Sequence, residues 1–109
     1  IRRRGENISG AEIDNVIGSH PDVLECAAIG VASELGEEEI LLAVVPRPGA
    51  TVSVQDIHQH AVAHLSAIKQ PRYIVVVDNL PHTGSMKIAK FRLKPGTALR
   101  DKATEFQNH

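Results

Sequence analysis

The chain has 109 residues, a length that fits one domain. Hydrophobic residues make up 42% of it but aromatic residues only 3%, so the sequence predicts one small aliphatic core. A net charge of −1 argues against a chain-wide binder of nucleic acid, although a local basic patch could still hold a small anion. The single cysteine excludes an intrachain disulfide and, with no apolar run near the roughly 18 residues of a membrane span, favours the cytoplasm.

The first helix is predicted from about Gly10 to Ser19. Ser9 and Glu12 form a capping-box pattern, in which the serine accepts from a first-turn amide and the glutamate reaches back towards the cap. Apolar residues then recur at helical spacing along one face: Ile13, Val16 and Ile17. Pro21 follows and ends the helix.

Two apolar runs after this helix predict strands at 23–31 and 40–45. A polar turn at 32–38 separates them, which places them close enough for an antiparallel hairpin. The second run is apolar on both faces, a pattern typical of a central strand.

A second helix is predicted to begin after Ser53, a favourable N-cap, with Asp56 in its first turn. Apolar residues at helical spacing extend this helix to Ile68, and Pro71 ends it.

The remaining pattern predicts a third strand at 73–77, an exposed loop or hairpin at 82–88, and a short helix within 91–109. The element order indicates the α+β class. We predict a small, mainly antiparallel three-stranded sheet covered by helices, with a protruding lysine-bearing loop.

The strongest chemical signal lies in the segment from Leu80 to Lys90. Gly84 stands at its bend, and the residues around it offer two hydroxyls and two ammonium groups: Thr83, Ser85, Lys87 and Lys90. The residues alone fit either a loop that contacts an anion or a solvated turn.

This segment resembles the lysine motif near the end of acyl-CoA synthetases of the adenylate-forming superfamily, usually Pro-x-Thr-x-Ser/Thr-Gly-Lys-Ile/Val-x-Lys/Arg. The matching residues are Pro81, Thr83, Ser85, Lys87, Ile88 and Lys90. The resemblance implies that Lys87 is the catalytic lysine, supported by a loop of Thr83, Gly84 and Ser85. Met86 stands where the family usually has glycine. We therefore expect Gly84 to take the unusual backbone dihedrals of the turn.

A second resemblance lies near the start of the chain. The segment from Arg4 to Ile8 is similar to the one that follows the interdomain hinge in the same family. It implies that Gly5, Glu6 and Asn7 serve the thioester-forming conformation, close to the pantetheine tunnel. A charged lead-in to a capped helix is the alternative.

A third resemblance covers 69–73, a basic segment with a proline. In the family, basic residues here often touch the CoA nucleotide, so Lys69 and Arg72 are implied phosphate contacts. Basic residues that cap a helix C-terminus explain the pattern about as well.

Nearly the whole chain takes part in the resemblance. It implies that 1–109 is the mobile C-terminal domain of an ATP-dependent acyl-CoA synthetase, without its large nucleotide-binding domain. ATP, Mg²⁺, CoA and a carboxylic acid would serve the full-length enzyme, and none would bind tightly to this domain. The domain's partner would be its own N-terminal domain, and the isolated chain should be inactive. A stand-alone binding or regulatory module is the alternative.

Three other features invite a functional interpretation. Two of the histidines His58, His60 and His64 are one helical turn apart and could bind zinc, but no Cys or acidic ligand matches their interval, so exposed polarity is the preferred interpretation. Arg2 to Arg4 lacks the aromatic platform of a nucleic-acid binder. Cys26 lies in an apolar run and is predicted to be a small core residue.

Overall fold

The computed structural model describes residues 1–3, 5–32, 37–85, 87–93 and 97–106. Within these residues the strands are β1 (Arg2–Arg3), β2 (Glu6–Asn7), β3 (Val23–Ala32), β4 (Glu38–Pro46), β5 (Tyr73–Val76) and β6 (Thr104–Glu105). The helices are α1 (Gly10–Gly18), α2 (Val54–His64) and α3 (Thr97–Lys102), with 3₁₀ turns at Ala67–Lys69 and Lys90–Arg92. The predicted α+β class is confirmed.

The main sheet has four strands in the order β3-β4-β5-β6. β3 and β4 form the predicted antiparallel hairpin, β4 and β5 run parallel, and β5 pairs antiparallel with β6. The sheet is therefore mainly antiparallel, but the predicted count of three strands is wrong. β6 has only two residues, too few to show the period-two pattern that reveals a strand in sequence.

Both faces of the sheet are covered, and alternate residues of each strand point to opposite faces. One face packs against α1 and α2 through Ile13, Ile17, Ile57 and Ala61. The other face packs against Leu80, Leu93 and Leu99, from the segment after β5 and from α3. The buried side chains are overwhelmingly aliphatic, as the composition predicts.

The start of α1 is confirmed, because the Ser9 side chain accepts from Glu12 N at 3.2 Å. The capping-box pattern predicts that the Glu12 carboxylate turns back towards Ser9. In the structure this carboxylate instead contacts Lys69 Nζ at 2.8 Å. Ser53 caps α2 in the same way through Asp56 N at 3.1 Å.

The predicted extension of α2 to Ile68 is wrong. α2 ends at His64, because Leu65 and Ser66 are extended and begin a separate 3₁₀ turn. The Gln70 side chain donates to Leu65 O at 3.1 Å and satisfies a carbonyl at the helix end. Helical spacing of apolar residues therefore persisted beyond the end of the helix.

Among the described residues, no helix has the length and apolar character that a membrane span requires.

Candidate functional site

Residues 81–85 and 87–89 belong to a short hairpin that carries Lys87. His82 and Ile88 make an antiparallel bridge, and Thr83 N donates to Lys87 O at 2.7 Å. The Ile88 side chain packs against the core, whereas its neighbour Lys87 is exposed. The alternation along this strand therefore directs the ammonium group of Lys87 away from the domain.

The tip of the hairpin is small and polar. Thr83 Oγ1 and Ser85 Oγ lie 3.0 Å apart, and Gly84 and Ser85 are exposed. The two hydroxyls lie on the same hairpin as the exposed lysine. This arrangement suits contact with a phosphate, which accepts hydrogen bonds from hydroxyl and ammonium donors alike.

The conformation predicted for Gly84 is wrong. Its φ lies outside the left-handed region, and a Cβ added there would meet no described heavy atom within 4 Å. Met86, whose substitution for glycine motivated the expectation, lies outside the described residues.

Polar and charged side chains hold both ends of the hairpin to the rest of the domain. His82 Nε2 lies 2.7 Å from Glu25 Oε2 on β3, and Lys90 Nζ lies 2.7 Å from Asp14 Oδ2 on α1. Leu80, just before the hairpin, is buried in the core. The hairpin is therefore anchored at its base, while its tip carries the exposed lysine.

β1 and β2 form a separate two-stranded ribbon. Arg2 pairs with Asn7 and Arg3 with Glu6, and Gly5 lies in the turn with φ +78°. Such a φ is readily adopted by glycine and costly for other residues. Glu6 and Asn7 are exposed, so the ribbon presents the three predicted thioester-site residues together on one projection.

Two consecutive glutamates at the start of β4 hold this ribbon. Glu38 Oε1 accepts from Arg2 N at 3.0 Å, and Glu39 Oε2 lies 3.2 Å from Arg3 Nε. Arg3 is only 4% exposed, and its Nη1 donates to Ile68 O at 2.8 Å. Arg3 is therefore a structural residue and not part of an exposed basic patch.

Lys69 and Arg72 lie near the ribbon, and each is engaged with carboxylates. Lys69 Nζ contacts Glu12 at 2.8 Å, and Arg72 contacts Glu105 at 3.1 Å and Glu39 at 3.6 Å. The hydrogen bond to Glu105 is the main cause that raises the pKa of Arg72 above its usual value. The side chains of Lys69 and Arg72 remain about one third exposed, so an incoming phosphate could reach them.

The ribbon is held where β4 begins, and one end of the hairpin is held near where β4 ends. The ribbon is tied to Glu38 and Glu39, where β4 begins, and the hairpin is tied to Glu25, which pairs with Val45 near its end. Glu39 and Val45 are six residue steps apart along the strand, about 20 Å. The other end of the hairpin is held through Asp14 to Ala28, which pairs with Leu42, three steps or about 10 Å from Glu39. Among the described residues, no hydrogen bond or ion pair joins the ribbon residues Gly5 to Asn7 to the tip of the hairpin.

Comparison with known proteins decides the family. Residues 12–87 match the model of the AMP-binding enzyme C-terminal domain. The chain belongs to this family. The resemblance to acyl-CoA synthetases drawn from the sequence is therefore confirmed.

Relatives of this AMP-binding enzyme C-terminal domain are CoA ligases. The oxalate–CoA ligase of Arabidopsis thaliana is 46% identical over 90 residues, which are 83% of this chain and 18% of the relative. A mitochondrial medium-chain acyl-CoA ligase of Mus musculus is 39% identical over 94 residues, 86% of this chain and 15% of the relative. The structure of an anthranilate CoA ligase in complex with anthranoyl-AMP superposes with a TM-score of 0.82 at 28% identity, covering 88% of this chain and 19% of that one. The chain thus spans less than a fifth of each.

Cys26 of this AMP-binding enzyme C-terminal domain is a core residue, as predicted. It is 6% exposed, and burial is the main cause that raises the pKa of its thiol to about 12. Its sulfur lies 3.3 Å from Asp14 O, to which the thiol can donate. Burial thus disfavours the thiolate and suits Cys26 to a place in the core.

The histidines of α2 are less exposed than predicted. His60 Nε2 donates to Val16 O at 2.9 Å, at the end of α1, and the His58 ring stacks on Phe106 with centroids 4.1 Å apart. They join α2 to neighbouring elements, whereas His64 is exposed. Among the described residues, no group of three or more His, Cys, Asp or Glu is placed to hold a metal ion.

The residues that the sequence analysis missed are the anchors of the two segments. They are Arg3, Asp14, Glu25, Glu38 and Glu39. Glu25 left a signal, because it is the only charge in the apolar run that became β3. A charge kept within such a run indicates a partner.

Proposed function

We propose that this domain serves an ATP-dependent acid–CoA ligase, in which it supplies the adenylation lysine and part of the thioester-forming site. The observation that carries the proposal is an exposed Lys87 on a hairpin anchored at its base. Such a side chain can enter a site on another domain and leave it again without disturbing the core.

Lys87 would act in the first half-reaction. A carboxylate attacks the α-phosphorus of ATP, and the bond to pyrophosphate breaks as the acyl-adenylate forms. Negative charge collects on the phosphoryl and bridging oxygens during this step, and an ammonium group placed there stabilises it and aligns the two anions. Mg²⁺ accompanies ATP as its counter-ion. Thr83 and Ser85 would add hydroxyl donors beside the lysine.

The ribbon would act in the second half-reaction, in which the CoA thiol attacks the acyl carbonyl and AMP leaves. The ribbon and Lys87 lie on separate projections of the domain, which supports a rigid rotation that withdraws Lys87 and brings in Gly5, Glu6 and Asn7. One domain could then serve two chemistries in turn.

Substitution at Gly5 tests this division of labour. We expect Gly5→Leu in the full-length enzyme to slow thioester formation roughly tenfold to hundredfold, because leucine strains the turn and displaces the ribbon. Adenylation should stay near the wild-type rate. Gly49→Leu is the matched control, since Gly49 also has a positive φ, of +81°, and open space around it. Equal losses in the two half-reactions for Gly5→Leu would contradict the assignment.

Charge removal tests the role of Lys69 and Arg72. The double alanine variant should raise the KM for CoA by roughly threefold to tenfold and spare the KM for ATP, because both heads are only partly exposed and could pair with phosphate. The effect should shrink at high salt. Glu12→Gln with Glu105→Gln is the control, since it removes their carboxylate partners and should not raise the KM for CoA. An unchanged KM for the alanine variant would leave these residues a structural role.

The proposed function itself is tested with the full-length enzyme. ATP–pyrophosphate exchange across a panel of carboxylic acids should reveal adenylation, and addition of CoA should yield a thioester. The 109-residue chain alone should be folded by circular dichroism but catalyse no exchange. A full-length protein that exchanges pyrophosphate with none of the acids would favour a binding or regulatory role, and robust exchange by the chain alone would contradict the proposal.

A further inference from the structure

Lys90, the second lysine of the hairpin segment, is held at a defined position against α1 and β3. Its Nζ is 2.7 Å from Asp14 Oδ2, and the two side chains are 34% and 23% exposed. Asp14 Oδ1 accepts from Ala28 N at 2.8 Å, so one carboxylate joins α1, β3 and the end of the hairpin. A carboxylate held by a second hydrogen bond is a fixed partner and not a mobile surface group.

Gly10 makes room for this ammonium group. A Cβ added at Gly10 would lie 3.0 Å from Lys90 Nζ and 3.3 Å from Ala28 O. A side chain here would therefore crowd both the ammonium group and the backbone of β3. The position of Lys90 is thus defined by the first turn of α1 as well as by the charge of Asp14.

The backbone between Lys90 and Lys87 transmits this position. Ala89 is 1% exposed, and its amide donates to Pro81 O at 2.7 Å. Ile88 packs against the core and bridges to His82. Because the strand is held on both sides of Ile88, the backbone of Lys87 has little freedom to move.

We propose that Lys90 is a positioning residue, whose ion pair with Asp14 sets the aim of Lys87 for adenylation. The inference rests on the proposed function. It separates the two lysines of the segment: Lys87 is exposed and meets the substrate, while Lys90 is engaged within the domain and acts through Lys87.

The test uses two variants that break the pair from opposite sides in the full-length enzyme. Lys90→Met removes the charge and keeps an unbranched side chain, and Asp14→Asn removes the charge and keeps an oxygen that can accept from Ala28 N. Each should lower the single-turnover rate of adenylation roughly tenfold to hundredfold, the scale of a small misplacement. The KM for ATP and the rate of thioester formation from supplied acyl-adenylate should stay within about twofold, a split that general destabilisation does not produce.

Two comparisons sharpen the result. Glu12→Gln is the matched control, because Glu12 is on the same helix and pairs with Lys69 at a similar 2.8 Å, yet it should leave adenylation unchanged. In a Lys87→Ala background, Lys90→Met should cost almost nothing more, because residues that act as a unit are not additive.

The results that would overturn the role of Lys90 differ from the result that would reject the proposed function. Wild-type adenylation rates for both Lys90→Met and Asp14→Asn would overturn the inference and leave the proposed function standing. A loss from Lys90→Met that persists undiminished in the Lys87→Ala background would show that Lys90 acts independently of Lys87, and would also overturn it. Failure of the wild-type full-length protein to exchange pyrophosphate would instead reject the proposed function.

Discussion

Lys87→Ala in the full-length enzyme should lower the adenylation rate by roughly 10²–10³-fold, or about 2.7–4 kcal/mol of transition-state stabilisation. The loss should be confined to the first half-reaction, because the ammonium group acts where charge develops around phosphorus. Folding should be unaffected, since the side chain of Lys87 is exposed. Exchange of labelled pyrophosphate and thioester formation from supplied acyl-adenylate measure the two steps separately.

Arginine at position 87 should rescue adenylation poorly. Its planar fork spreads the charge and does not fill a site shaped for a compact ammonium group. Ser85→Ala is a suitable control on the same exposed tip, because it removes one hydroxyl and keeps the lysine. If Lys90→Ala abolished adenylation while Lys87→Ala stayed near the wild-type rate, the assignment of the catalytic lysine would be wrong.

Arg3→Met should lower the free energy of unfolding of the domain by about 3 kcal/mol, at the lower end for a broken buried ion pair. Arg3 is 4% exposed and Glu39 13%, so the glutamate would lose its nearest partner in a largely dry environment. Arg72 stays 3.6 Å from the other oxygen of Glu39 and limits the cost. Urea unfolding of the 109-residue chain, followed by circular dichroism, measures the change.

Arg2→Met is the matched control for Arg3. Arg2 is exposed and its side chain makes a 3.4 Å hydrogen bond to Asn7, so its replacement should change stability by less than about 0.5 kcal/mol. Glu39→Gln should approach the effect of Arg3→Met, because it strips the charge from the same pair. Equal stabilities for the two arginine variants would contradict a structural role for Arg3.

Local features of the fold were predictable from sequence, because they depend on residues a few positions apart. The caps at Ser9 and Ser53 and the β3–β4 hairpin belong to this group. The end of α2 was not predictable, because apolar spacing continues to Ile68 although the backbone turns extended at Leu65. β6 depends on pairing with β5 about 30 residues earlier and has no pattern of its own.

In the candidate site too, local features were predictable from sequence and long-range contacts were not. Lys87 could be named because its neighbours match a family motif. Its anchors could not, because Glu25 and His82 are 57 residues apart and Asp14 lies 76 residues from Lys90. Pairing over such separations is decided by the tertiary fold, and a single sequence does not record it.

The Asp14–Lys90 pair also bears on aggregation. β3 is an edge strand of ten mostly apolar residues, and such an edge offers unpaired backbone groups to strands of other molecules. In this domain the Asp14 carboxylate accepts from the amide of Ala28 midway along the edge and pairs with the Lys90 ammonium group at 2.7 Å. A second chain would have to displace both charges before it could extend the sheet. We therefore expect the pair that anchors the hairpin also to oppose intermolecular pairing along the edge of β3.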